Sequence, residues 1–136
     1  MSLFGAMPIA RSGIDAAQTW IDAIGGNIAN ANDAVSPNQG AYGTQYVVAQ
    51  PVPSTQPNGA GQGVVVSQVL SGATTGKLAY QPGNPLANAQ GMVRYPSVDL
   101  GQQLVDLVMA QTSYQANVAV VNQAKAAYQS ALTLGS

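Results

Sequence analysis

The hydrophobic pattern of the first third of the chain predicts a helix. Apolar residues recur there at alternating steps of four and three positions, which places them on one stripe of a helix, as in a coiled-coil seam. The stripe consists of Ala10, Ile14, Ala17, Ile21, Ile24 and Ile28. Pro8 suits the first turn, and the Asn- and Asp-rich segment 30–33 predicts the end of the helix. Gly25 and Gly26 weaken a helix by roughly 1 kcal/mol each relative to alanine, so we expect them to admit another backbone at close range.

The last third of the chain carries the strongest helical pattern. Its positions again step by four and three, and most of them are apolar or aromatic. This stripe consists of Leu100, Leu104, Leu107, Gln111, Tyr114, Val118, Val121, Lys125, Tyr128 and Leu132. Ser97 is predicted as the N-cap, Asp99 as a favourable charge near the positive helix end, and Gly135 as the C-terminal stop. The polar residues Gln111 and Lys125 either set the register or lie at an exposed margin, and the pattern leaves both interpretations open.

The middle of the chain, residues 34–96, changes to short strands, turns and loops. Pro and Gly concentrate here, and β-branched and aromatic residues fall into three short runs. We predict strands at 42–49, 64–70 and 76–80, a flexible loop at 51–63 and a turn at 81–85.

Together these patterns predict a mainly α fold with a small β insert. Exposure of either apolar stripe to water would be unfavourable. The N- and C-terminal helices are therefore expected to bury their stripes against each other in a coiled-coil-like core, as an antiparallel or splayed pair. The predicted division is 1–33 for the N-terminal helix, 34–96 for the β-rich insert and 97–136 for the C-terminal helix.

Charged residues are scarce along the chain. They make up 7% of the 136 positions, whereas soluble domains contain roughly 25%, so we expect a protein that is buried among copies of itself or other partners. The four basic residues are scattered, which argues against nucleic acid and anionic membrane surfaces as partners. The sequence contains no apolar stretch of about 18 residues, so no transmembrane helix is predicted. The first residues lack the basic and apolar regions of a cleavable secretory signal.

The composition also argues against catalysis and metal binding. Without Cys and His, the usual ligands of zinc and the commonest general base are missing, so no enzyme, cofactor or small-molecule substrate is predicted. Asp15 with Asp22, and Asp99 with Asp106, could serve as carboxylate pairs for glycoside hydrolysis. Each pair lies roughly 10 Å apart along a helix, and a solvated face is the better interpretation. The glycine-rich run 59–63 precedes a strand, whereas phosphate-binding loops follow one, so we predict a linker.

Several short motifs resemble one known family, the axial proteins of the flagellar rod and hook. Within that family they look most like basal-body rod proteins of the FlgC type, the proximal rod subunits. The matching segments are 12–17, 26–32, 80–87, 91–93, 96–99, 113–117 and 132–135. The positions that carry the resemblance are Asn27, Asn30, Gly83, Asn84, Pro85, Ser113, Tyr114, Gln115 and Asn117.

This resemblance implies a structural protein. Such subunits enter the growing flagellum through its type III export apparatus without a cleaved signal peptide, and polymerise into the hollow drive shaft that crosses the periplasm. Their partners are copies of themselves, other rod subunits and adaptor proteins of the membrane ring and rod. Their terminal helices form the inner tube, so the implied packing residues are Ile14, Ala17, Ile21, Ile24, Ile28, Leu100, Leu104, Leu107, Tyr114, Val118, Val121, Tyr128 and Leu132.

Two questions stay open from the residues themselves. The alternative function is a secreted helical hairpin that forms a complex with a single partner, although about sixty residues with strand character separate the two helices. Asn27 and Asn30 share a helix face. They either bond to the backbone of adjacent subunits or cap the C-terminus of the first helix. We expect Asn30→Leu to block assembly and to leave export intact.

Overall fold

The computed structural model describes residues 3–55, 59 and 61–134, and it contains two long helices that flank four short strands. The elements are α1 (Leu3–Asn30), β1 (Gln45–Pro51), β2 (Val64–Ser71), β3 (Lys77–Tyr80), β4 (Met92–Tyr95) and α2 (Leu100–Leu134). This order confirms the mainly α fold with a small β insert.

Helix α1 ends at Asn30, within the segment that the sequence predicts for its end. Its start differs from the prediction, because Pro8 lies inside the helix rather than in the first turn. At that position Pro8 removes one backbone N–H from the helical ladder, which a first-turn proline would not do. The prediction for Pro8 was therefore wrong by one turn.

Helix α2 begins three residues after the predicted N-cap. The carboxylate Oδ1 of Asp99 accepts a hydrogen bond from the backbone N–H of Gln102 at 3.1 Å, which is the geometry of an N-cap. The prediction of Ser97 as the cap was wrong, and the carbonyl of Ser97 instead accepts a bond from the hydroxyl of Thr44 at 3.5 Å. The predicted stop at Gly135 lies outside the described residues.

The chain divides into two compact units. Unit 1 contains Met1–Ile21, Val47–Gln68 and Val108–Ser136, and unit 2 contains Asp22–Tyr46 and Val69–Leu107. Each unit therefore combines a part of α1, a part of the β insert and a part of α2.

The strands form two separate two-stranded sheets, β1–β2 and β3–β4. Strands β1 and β2 run antiparallel, since Val52 bonds to Gly63 at one end and Gly72 bonds to Thr44 at the other, both at 2.8 Å. In unit 1, the hydroxyl of Ser12 on α1 accepts a bond from the N–H of Val64 at 3.0 Å, which attaches the start of β2 to the helix.

Strand β4 is absent from the sequence-based prediction. It pairs antiparallel with β3, with Lys77 opposite Tyr95 and Tyr80 opposite Met92. Val93 in its centre is fully buried. Four residues of mixed polarity give too little alternation to predict a strand, and this one is defined by its tertiary contacts.

Arg94 fastens the insert within unit 2. Its backbone N–H and C=O pair with Val35 at 2.9 Å each, and its guanidinium donates to the carbonyl of Pro37 at 2.7 and 3.2 Å and to that of Thr75. One side chain thus joins the segment after α1 to the segment before β3.

Candidate assembly surface

Only alternate positions of the apolar stripe predicted for α1 are buried in the structure. Ala10, Ala17 and Ile24 are buried, whereas Ile14, Ile21 and Ile28 are half-buried. The inward positions that complete a three-and-four pattern with the buried residues are Gly13, Trp20, Asn27 and Ala31. The inward face is therefore offset by one residue from the predicted stripe near the end of α1, where Asn27 rather than Ile28 is buried.

Helix α2 shows the same displacement. Its buried residues are Gln103, Ala110 and Ala124, one position before the predicted stripe residues Leu104, Gln111 and Lys125. The stripe positions Leu107, Tyr114, Val118 and Val121 are half-buried, and Leu100, Leu104, Gln111, Lys125, Tyr128 and Leu132 are exposed. Gln111 and Lys125 thus lie at an exposed margin of the protomer, and the two stripes do not cover each other fully.

In unit 1 the two helices approach each other closely at Gly13. A Cβ atom added there would lie 2.6 Å from Oδ1 of Asn117, whose amide nitrogen donates to the carbonyl of Ser113 at 2.8 Å. The expected close approach at Gly25 and Gly26 does not occur within the described protomer. A Cβ on Gly25 would meet nothing within 4 Å, and one on Gly26 would meet only the hydroxyl of Tyr42 at 3.4 Å.

In unit 2, a buried hydrogen-bond network surrounds Asn27, whose exposed fraction is 1%. Its Oδ1 accepts bonds from the backbone N–H of Gln45 at 2.7 Å and from the hydroxyl of Tyr42 at 3.1 Å. Its Nδ2 donates to the carbonyl of Gln45 at 3.0 Å and to Oε1 of Gln103 at 2.8 Å. Burial raises the pKa of Tyr42. Every hydrogen-bonding position of the Asn27 carboxamide is therefore used within the chain.

Asn27 and Asn30 serve different purposes in the protomer. Neither interpretation from the sequence describes Asn27, because its partners lie on β1 and α2 rather than at the helix end. Asn30 donates to the carbonyl of Gly26 at 2.8 Å, so it satisfies one of the last carbonyls of α1 in the manner of a C-terminal cap.

Four large apolar side chains of α2 are exposed, Leu104 and Val105 in unit 2 and Val108 and Met109 in unit 1, and we call these four residues the outer face. Leu104, Val105, Val108 and Met109 occupy positions i, i+1, i+4 and i+5 of the helix, and their exposed fractions are 57%, 55%, 63% and 55%. Soluble monomers rarely expose large contiguous apolar patches, and clusters of exposed apolar side chains are candidate interaction sites. The sequence analysis included only Leu104 of these four, because the other three fall outside a single seven-residue stripe.

The remaining motif residues serve local structure. Asn84 holds an exposed turn, since its Oδ1 accepts from the N–H of Leu86 and its Nδ2 donates to Gln81, both at 3.0 Å. Gly83 and Pro85 are exposed in the same turn. On α2, Ser113 and Gln115 are exposed, and the carbonyl of Ser113 receives the Asn117 bond.

Three of the acidic side chains have structural partners. Asp15 lies 4.0 Å from Arg11 in an exposed ion pair, Asp99 caps α2, and Asp106 accepts from Gln102 at 2.9 Å. Within the described ranges no cluster of three potential metal-binding side chains occurs. Neither described helix combines the length and hydrophobicity that a membrane crossing requires.

Comparison with known proteins connects this arrangement to the bacterial flagellum. Residues 89–134 match the family model described as the C-terminal part of the flagellar basal body rod FlgEFG proteins. The chain is 38% identical to a flagellar basal-body rod protein FlgC of Yersinia enterocolitica over 135 residues, which cover 99% of both chains. It is 37% identical to the FlgC protein of Salmonella typhimurium and 31% identical to that of Bacillus subtilis, again with 99% of each chain covered.

Proposed function

This chain belongs to the FlgC family of flagellar basal-body rod proteins, and we propose from that premise that it is a structural subunit of the proximal rod. It polymerises through its terminal helices, within residues 1–33 and 97–136, into a hollow shaft. The insert, residues 34–96, lies toward the outside of that shaft. The shaft transmits torque and conducts exported subunits through its centre.

The outer face of α2 is the observation that carries this proposal. Fully burying a Val, Leu or Met side chain stabilises by about 1.5–3 kcal/mol. Because the four side chains are each a little over half exposed, covering them would contribute roughly 3–7 kcal/mol per protomer. Association costs about 4–15 kcal/mol in lost freedom of motion. A single contact of this kind is therefore marginal, and several contacts shared among neighbours favour a polymer over a pair.

The scarcity of charge supports the same assembly. With charged residues at only 7% of positions, a free protomer has little electrostatic protection against association. Inside a polymer this composition is an advantage, since few charges have to lose their hydration when helices pack. The many modest apolar contacts add up to a stiff shaft.

The remaining parts of the proposal follow from the family. The protomer's neighbours are copies of itself, other rod subunits and adaptor proteins of the membrane ring and rod. It reaches the periplasm through the type III export apparatus of the flagellum and resides in the basal body.

Substitution on the outer face tests the proposal. Val108→Asp places a charge at the most exposed of its four positions, and Gln115→Asp places the same charge at an exposed polar position of the same helix. Each variant replaces the native copy in the source cell. Mass spectrometry of detergent-purified basal bodies then measures how much of the chain the rod contains, and circular dichroism of the purified variants checks that the helices persist.

We expect Val108→Asp to be missing from rods and to abolish swimming, and Gln115→Asp to assemble normally. Normal incorporation of Val108→Asp would show that the outer face is not a subunit contact. Absence of the unaltered chain from bodies that contain the other rod proteins would reject the rod function itself.

A further inference from the structure

Unit 1 contains an open apolar groove lined by α1, the β1–β2 sheet and α2. Its volume is about 520 Å³, within the roughly 300–1,000 Å³ that ligand pockets occupy. The large side chains on its walls are Ile9, Trp20, Val47 and Val64, and none of the side chains that line it carries a charge. Because a charged group would lose its hydration here without gaining a partner, the groove suits an apolar occupant.

Trp20 gives the groove the character of a protein contact. Its side chain is half-buried in the protomer, so a part of the ring stays open to an incoming group. Tryptophan is enriched among the residues that dominate the energetics of interfaces, and these residues lie in well-packed pockets from which water is excluded. An apolar side chain placed against Trp20 would complete such a pocket.

Val108 lies on the other side of α2 within the same unit. Asn117, which lines the groove, follows Val108 by nine positions, and that spacing makes about two and a half turns of an α-helix. The two side chains therefore leave the helix in opposite directions. Val108 is 63% exposed and Met109 beside it is 55% exposed. Each copy thus carries a protruding apolar surface on one side of α2 and an apolar groove on the other.

Surfaces that face opposite ways join copies differently from a surface that meets itself. Two copies related by a twofold axis bring the same surface of each into contact, and the pair then has no such surface left to offer. A contact between two different surfaces leaves one of each free at the ends of the pair, so addition continues into a ring or a helix. The chemistry here matches the second case, because both surfaces are uncharged and both belong to the same unit of the same chain.

We propose that Val108 of one copy, with Met109 beside it, inserts into the groove at Trp20 of the next copy, so that copies join head to tail. The occupant is a second copy of this chain, because each copy supplies both halves of the contact. The proposal rests on the proposed function, since it names the repeating contact by which the shaft grows.

Cysteine cross-linking in the source cell tests the contact, because the chain itself contains no cysteine. Val108→Cys is combined in one chain with Ala16→Cys, which lies in the lining of the groove. The matched control combines Val108→Cys with Gln18→Cys, since Gln18 is exposed on the same helix as Ala16 and does not line the groove. Purified basal bodies are treated with a short bismaleimide, which joins two thiols. Denaturing electrophoresis separates the products, and mass spectrometry identifies the linked positions.

We expect the 108/16 variant to form a ladder of linked chains that extends beyond pairs, with each link between position 108 of one copy and position 16 of another. The ladder should be lost in the 108/18 control and in each variant with a single cysteine. If Ala16→Cys prevents incorporation into the rod, Val47→Cys replaces it, because Val47 lines the same groove.

Three results would overturn the proposal. Linked pairs from Val108→Cys alone would indicate a twofold contact between outer faces. An equal ladder from the 108/18 control would show that the groove is not the partner of Val108. Rods that contain the 108/16 variant without linked copies would show that the groove does not receive this surface. All three are measured on bodies that contain the chain, so they leave the rod function untouched, whereas absence of the unaltered chain from the bodies would reject that function.

Discussion

A methyl group added at Gly13 should destabilise the fold, although alanine is the better helix former. The new Cβ would lie 2.6 Å from Oδ1 and 2.7 Å from Cγ of Asn117, well inside the roughly 3.5–4.0 Å at which carbon atoms attract each other. The Asn117 carboxamide cannot swing away freely, because its nitrogen donates to the carbonyl of Ser113 at 2.8 Å.

Two opposing effects set the magnitude. Replacing glycine by alanine inside a helix stabilises by about 1 kcal/mol, and overpacking a close contact costs about 1–3 kcal/mol. The expected net change for Gly13→Ala is therefore a loss of about 1 kcal/mol in the free energy of unfolding. Gly25→Ala is the matched control, since its Cβ would meet nothing within 4 Å, and it should gain about 1 kcal/mol.

Urea unfolding followed by helical circular dichroism measures these changes, and a double-mutant cycle with Asn117→Ala isolates the contact. Removing the carboxamide makes room for the methyl group, so Gly13→Ala should become stabilising in that background, with a coupling energy of about 1–3 kcal/mol. Equal effects of Gly13→Ala and Gly25→Ala, or strict additivity with Asn117→Ala, would refute the close approach of the helices.

Three further predictions concern single contacts. Asp99→Ala should lower the free energy of unfolding by about 1 kcal/mol through loss of the α2 cap, whereas Asp22→Ala, at an exposed position, should change it by less than about 0.5 kcal/mol. Because burial raises the pKa of Tyr42 above its ordinary value of 10.0, its contribution to stability is complete below pH 10 and is lost as the pH rises through the folded-state pKa; urea titrations at rising pH should show a smaller decline for Tyr42→Phe. Asn30→Leu should still block assembly without blocking export, which a comparison of basal bodies with the culture medium measures.

The elements of this fold were largely predictable because they depend on local signals. Helical periodicity runs through both terminal thirds. The Pro-, Gly- and Asn-rich segments before β1 and β2 have no helical periodicity, and they mark where these strands begin. The errors concern features that depend on tertiary contacts. Strand β1 begins at Gln45 rather than Tyr42, and the backbone N–H and C=O of Gln45 bond to the side chain of Asn27. The cap of α2 is Asp99 rather than Ser97, since the Asp99 side chain accepts the N–H of Gln102 and its carbonyl accepts the N–H of Gln103.

The displaced helix faces have a more general cause. Sequence periodicity detects where large apolar side chains recur, and it assigns the centre of that recurrence to the inward face. Here Ala110 and Ala124 are inward, since helices that approach closely need small side chains at the contact. Gln103 is inward because it accepts the hydrogen bond from Asn27. Periodicity could not have found Asn27 as the centre of a network, because Asn27 lies beside the predicted apolar stripe and a single polar residue there gives no indication of its partners.

The size difference between the two faces of α2 explains the packing within the protomer and supports the proposed assembly. Small inward residues let α1 approach α2 closely, as the contact of Gly13 with Asn117 shows, and they leave the large residues Val108 and Met109 for the outside. A globular protein would place its largest apolar residues in its own core, where each contributes most to stability. Placing them outward lowers the stability of the free protomer and, in the proposed polymer, would stabilise the assembly by the same type of contact. The protomer would therefore gain much of its rigidity only when neighbours cover the outer face. A subunit that is exported before it assembles needs this order of events.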